Sequence, residues 1–176
     1  MFYRKMKLRT ELQPEKYPFL IEHPSAIVSA GSCFADMIGE KLALYKFHVL
    51  SNPFGNIYNP VSLFNLFDEQ YKPEENLLER DGQWFSFGLH SDFTATSKEI
   101  LINNITSSRQ KLSHFLAKTE VLVLTLGTSF VYKLKKSDEI VANCHKVPAT
   151  DFYKVLLSVD ENLKAFERFY TYIKSK

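Results

Sequence analysis

Solid apolar runs and helical stripes succeed one another along the chain. AIVSAG at 26–31 is a short run of small and branched residues ended by a glycine, which predicts a buried strand. From Phe34 the period changes. Phe34, Met37, Ile38, Leu42 and Tyr45 share one helical face, with Asp36, Glu40 and Lys41 on the other, the pattern of an amphipathic helix. A second strand is predicted near 47–50, a turn-rich loop at NPFGNIYNP (52–60), and a helix after Pro60, which suits a first-turn position. Residues 71–98 read as loop. Helical spacing returns at 98–118 and leads into VLVLTLG, apolar on both faces as a central parallel strand would be. FVYKLKK and EIVANC flank the polar turn KSDE and predict a hairpin. Residues 158–174 predict a helix with a Ser158-x-x-Glu161 capping box.

This order of elements predicts a single α/β domain with right-handed crossovers. Ligand sites in such sheets lie at the carboxyl ends of the strands. Two segments fall there: Gly31-Ser32-Cys33 and Gly127-Thr128-Ser129.

Composition narrows the function classes. The chain has 176 residues, 45% hydrophobic and 24% charged, enough for one domain with its own core. Its 22 basic and 20 acidic side chains leave a net charge of +2, which argues against nucleic acid or an anionic membrane as the main partner. The start, MFYRKMKLR, is basic but is followed by TELQPEKY instead of an apolar stretch, so no signal peptide is read. With only Cys33 and Cys144 there is no disulfide framework, and a cytoplasmic protein with free thiols is expected.

A residue at a strand-to-helix turn meets the unpaired N–H groups and positive end of the helix, which favour a thiolate or an oxyanion. Ser32 or Cys33 therefore reads as a nucleophile. The structural alternative makes Ser32 a helix cap and Cys33 a small buried hydrophobe. Gly55 either offers its N–H to a ligand or permits a turn. Gly127, Thr128 and Ser129 either line the same site or cap their strand. In NCHKVP, His145 reads as a general base, a metal ligand or a hydrogen-bonded structural residue. Cys33, Cys144, His90 and His145 lack metal-ligand spacing, so neither a metal nor another cofactor is expected.

The segments AGSCFAD, NPFGNIYNP, LTLGTSFVY and ANCHKVP, in that order, resemble the GSCFA family, a branch of the SGNH (GDSL-like) hydrolases. The resemblance implies a three-layer α/β/α, flavodoxin-like fold. It also implies a serine hydrolase acting on a small-molecule or carbohydrate ester. Gly55 then matches the oxyanion-hole glycine, and Gly127-Thr128-Ser129 matches the Gly-x-Asn block, with Ser129 where asparagine is usual. The first block leaves two registers open: Cys33 falls at the nucleophile position directly, and Ser32 after a shift of one residue. The family's Asp-x-x-His block has no match after residue 150, so the sheet is expected to be incomplete on its C-terminal side. Its exposed edge would suit self-association, and His145 would be the substitute base.

Overall fold

The computed structural model describes residues 10–13 and 15–176. The basic start at 1–9 lies outside the described residues, and so does the signal-peptide reading based on it. Ala26–Gly31 forms β1, buried along its whole length. Helix α1 (Cys33–Leu44) starts after a single residue, with Ser32 as its N-cap, and returns the chain to β2 (His48–Ser51), parallel to β1. Asn59 caps the short α2 (Pro60–Asn65), with its side-chain oxygen taking the Ser62 N–H and Pro60 in the first turn.

The stretch expected to be loop contains a small antiparallel sheet, β3 (Leu78–Arg80), β4 (Gln83–Phe85) and β5 (Thr94–Ala95). Asp81 and Gly82, both with positive φ, make the tight turn between its first two strands. Strands of two or three residues are too short to register a period of two, so only the turn was readable. Helix α3 (Lys98–Leu116) then leads to β6 (Thr119–Thr125), which pairs parallel with β1 from Ala26 opposite Thr119 to Gly31 opposite Thr125.

The parallel sheet has the order β2-β1-β6. Its two faces carry different helices, and β1 shows how. Val28 and Ala30 join the buried cluster with Phe54, Ile57, Leu101 and Ile105, whereas Ser29 Oγ donates to the Ala35 carbonyl of α1 at 3.0 Å on the opposite face. This is an α/β fold with helices on both sides of a parallel sheet. One expectation is corrected. β6 is not central: among the described strands it lies at one edge, and its residues are half-buried apart from exposed Glu120. Nor does α1 bury its large apolar stripe: Phe34, Met37 and Tyr45 are 57%, 62% and 67% exposed, while Ala35 and Gly39 face the sheet. The approach is so close that a Cβ at Gly39 would lie 2.5 Å from Ser51 Oγ. Small residues make the contact, and the large ones are left outside.

The hairpin forms as expected, from β7 (Phe130–Leu134) and β8 (Ile140–Val141). An unforeseen strand, β9 (Phe152–Leu156), pairs antiparallel on the other side of β7. Helix α4 (Val159–Lys174) carries the predicted capping box and docks on α2, where Phe169 stacks on Phe64 at 4.6 Å. No helix among the described residues is long and apolar enough to cross a membrane.

Candidate active site

Parallel pairing places the end of β1 against the end of β6, and the site begins there. Gly31 has φ +135°, and Ser32 N–H reaches both the carbonyl (3.0 Å) and the hydroxyl (2.9 Å) of Thr125. Ser32 Oγ lies 3.0 Å from Thr125 Oγ1 and accepts the Phe34 N–H at 3.4 Å. Ser32 is thus a helix cap, as the structural alternative has it, with its hydroxyl at the sheet's carboxyl edge. Cys33 is exposed and not the buried hydrophobe of that alternative. The two side chains stand side by side at the positive end of a twelve-residue helix.

The loop after β2 closes against this turn through one residue that the sequence did not single out. Asn52, with φ +34°, takes the Gly31 N–H on Oδ1 at 2.8 Å. Its Nδ2 donates to Asp36 Oδ1 (2.8 Å), Asn56 Oδ1 (2.7 Å) and, more weakly, the Ser32 carbonyl (3.4 Å). Its backbone N–H binds the Ser29 carbonyl at 2.8 Å, and its carbonyl takes the Gly55 N–H at 2.9 Å. The N–H proposed for an oxyanion at Gly55 is therefore spent inside the loop. Gly55 also makes room for a neighbour, since a Cβ there would lie 2.6 Å from the Cβ of His90. His90, which sequence reasoning weighed only as a metal ligand, is backed by Asp92, with Nδ1 3.2 Å from the carboxylate.

Tyr58 ties the third loop to the turn. Its carbonyl accepts the N–H groups of Gly127 (2.9 Å) and Thr128 (3.1 Å), and a Cβ at Gly127 would touch its ring at 3.0 Å. Its hydroxyl neighbours the Cys33 thiol. Burial, then Cys33, then Asp36 push the phenol above its ordinary pKa. Ser129 turns the other way: its Oγ accepts from Asn162 Nδ2 at 3.4 Å and its carbonyl from Leu157 N–H at 2.9 Å. Asn162 Oδ1 is buried beside it without a partner. Of the residues proposed from sequence, the structure thus gathers Ser32 and Cys33 at one turn, with Gly127 joined to it through Tyr58 and Gly55 through Asn52, while Ser129 faces α4.

A model of the GSCFA family matches residues 26–176, from the first residue of β1 through every loop just described. The chain belongs to the GSCFA family. No curated protein and no solved structure matches it.

His145 packs against the 85–89 segment in this GSCFA chain. Its ring stacks on Phe85 at 4.7 Å, Nε2 lies 3.1 Å from the Leu89 carbonyl, and the Ser86 carbonyl lies close to the imidazole. None of these partners is Ser32 or Cys33. Burial holds the imidazole below its ordinary pKa, with His90 adding to the effect against the pull of the two carbonyls. Burial likewise raises the Cys144 thiol. The unfolded chain therefore binds a proton at His145 more readily than the folded one. Its contribution to stability is complete above about pH 6.5, the unperturbed value, and is lost as the pH falls through the folded value. Urea midpoints measured from pH 7.5 to 5 are expected to fall less steeply in His145→Gln than in the wild type. Parallel slopes would remove burial of this ring as the cause.

Among the described residues, no group of three or more His, Cys, Asp or Glu could hold a metal ion. A cleft of about 730 Å³ lies away from the turn, between the β7–β8 hairpin and residues 71–78, with Tyr71, Phe87, Lys133 and Val141 in its walls. None of these residues stands out in the sequence.

Proposed function

We propose that this GSCFA chain is an SGNH-type hydrolase domain that cleaves an acyl ester of a small molecule or carbohydrate, with Ser32 as the nucleophile. The observation that carries the reading is the Ser32 hydroxyl itself. It stands at the carboxyl end of a buried parallel strand, on the first residue before a helix, 3.0 Å from the Thr125 hydroxyl. An ester carbonyl brought to this turn is attacked by Ser32 Oγ, and its oxygen takes up the negative charge. The helix-start amides meet that charge as it develops, which is where electrostatic stabilisation has most effect. Collapse of the tetrahedral intermediate expels the alcohol and leaves an acyl-serine, which water then hydrolyses. Gly55 and Gly127 act here as close-approach positions for His90 and Tyr58.

The proton of Ser32 needs an acceptor, and the Thr125 hydroxyl is no base at neutral pH. Turnover by residues 1–176 alone is therefore slow, and added imidazole supplies what the turn lacks. Incubation with a fluorophosphonate and increasing imidazole, followed by mass mapping, is expected to modify Ser32 at a rate that rises with imidazole. Ser32→Ala removes the modification and Cys33→Ala keeps it. Modification confined to Cys33 moves the nucleophile by one residue, and no imidazole-dependent modification at either residue overturns the reading. A binding module that keeps the fold without catalysis is the second reading. It is favoured by the commitment of His145 Nε2 to the Leu89 carbonyl, and it predicts that last result.

A further inference from the structure

We propose that Asn52 is the positioning residue of the Ser32–Cys33 turn, acting through an amide–carboxylate pair with Asp36. Four separate pieces of chain end at or beside this turn: β1, the start of α1, β2 and the Gly55 loop. Asn52 is bonded to all of them. Its Oδ1 holds the last amide of β1 (Gly31, 2.8 Å). Its Nδ2 holds the carboxylate in the first turn of α1 (Asp36, 2.8 Å) and the amide oxygen of Asn56 (2.7 Å). Its backbone closes on Ser29 at one end and Gly55 at the other.

The residue type is dictated from three directions. The left-handed backbone (φ +34°) suits Asn, Asp and Gly better than other residues. The Gly31 amide requires an acceptor, and the Asp36 carboxylate requires a donor. Of Asn, Asp and Gly, only Asn carries both. Asp would satisfy the backbone and Gly31 but would set a second carboxylate against Asp36. Gly would satisfy the backbone alone. Asp36 also receives the Ser51 hydroxyl at 3.3 Å, so the pair joins β2 to the helix start as well. With the pair in place, the helix-start amides hold a fixed geometry toward Ser32 and Cys33. Without it, the turn loses the bond that ends β1 and the one that anchors α1.

The test reads the turn in two ways. One is the fluorophosphonate modification of Ser32 in imidazole, which rests on the hydrolase reading. The other is iodoacetamide alkylation of Cys33, which does not; half-buried Cys144 serves as the internal reference. Asn52→Asp is expected to slow both reactions at the turn at least fivefold while the Cys144 rate stays within twofold. The exchange variant Asn52→Asp/Asp36→Asn restores one amide facing one carboxylate with the roles reversed, and is expected to return both rates to within twofold of the wild type. A requirement for Asn52 that does not run through Asp36 would not be repaired by this exchange. If Asn52→Asp fails to fold, Asp36→Ala removes the same hydrogen bond from the helix side and must slow the Cys33 reaction by the same margin. Unchanged Cys33 alkylation in a folded variant, or failure of the exchange to restore it, overturns the proposal. Loss of Ser32 modification already in the wild type, with the Cys33 pattern as expected, would count against the hydrolase reading alone.

Discussion

Gly31→Ala is expected to lower the melting temperature by about 10 °C or more and to abolish imidazole-dependent modification of Ser32. Two independent costs coincide at this position. The backbone has φ +135°, where side chains other than glycine's are rarely found, and strain of this kind costs on the order of 1–3 kcal/mol. The new Cβ would also lie 2.1 Å from the Thr125 carbonyl oxygen and 2.7 Å from its hydroxyl. The nearest atom is backbone in a paired strand, so relief requires β6 or the turn to move, and such overpacking costs a further 1–3 kcal/mol or so. The sum is a large part of the roughly 5–15 kcal/mol that holds a domain together. Thr125 is the same residue that holds Ser32 N–H and Oγ. Stability and the candidate chemistry should therefore fail together. Gly82→Ala separates the two costs, because φ is +73° there but nothing lies within 4 Å of the new methyl. Its loss, read by the same thermal melts, should be about 1 kcal/mol. Equal losses at both glycines would mean that the contact with Thr125 does not matter.

The elements that could be read from sequence were those whose side chains report their own burial. AIVSAG is small or apolar at every position, with Ser29 its one polar residue, and all six residues are buried. The Ser158–Glu161 capping box is a local arrangement and formed as read. The buried face of α1 was not legible because periodicity follows large apolar side chains, while Ala35 and Gly39 make the contact with the sheet. For β6, apolarity on both faces records what a strand is able to bury. Among the described strands only β1 pairs with it, and nothing local in VLVLT distinguishes a centre from an edge.

The site divides in the same way. Ser32 and Cys33 were visible because a strand, a glycine and a helix start meet within eight residues. Thr125 was not, because only the register of β1 against β6 brings it opposite Gly31. Asn52, Asp36 and Tyr58 are single polar residues in unremarkable spacing, and their meaning comes from three loops converging in space. His145 drew attention for its chemistry, yet its Nε2 serves the Leu89 carbonyl.

Phe169→Ala should release α4 while leaving the turn at Ser32 in place. Phe169 is buried, stacked on Phe64 at 4.6 Å and edge-on to Phe67 at 5.2 Å. Truncating such a ring costs about 3–5 kcal/mol in lost transfer and cavity energy. Ala165 and Phe169 are the only buried residues on this helix, so one substitution removes most of what docks it. The capping box survives, but a free sixteen-residue helix is marginal in water. α4 is thus expected to become the least stable unit of the fold. Amide exchange should then show protection across Val159–Lys174 falling at least tenfold more than across β1. The consequence at the site is selective. Ser129 loses the Asn162 amide, since that contact depends on the position of α4. Gly127 and Thr128 keep the Tyr58 carbonyl, and Ser32 keeps Thr125, because neither set of bonds involves the helix. Cys33 alkylation should therefore stay within twofold of the wild-type rate. A uniform fall in protection, with β1 exchanging as fast as α4, would instead make the aromatic contact between α2 and α4 part of the same cooperative unit as the parallel sheet.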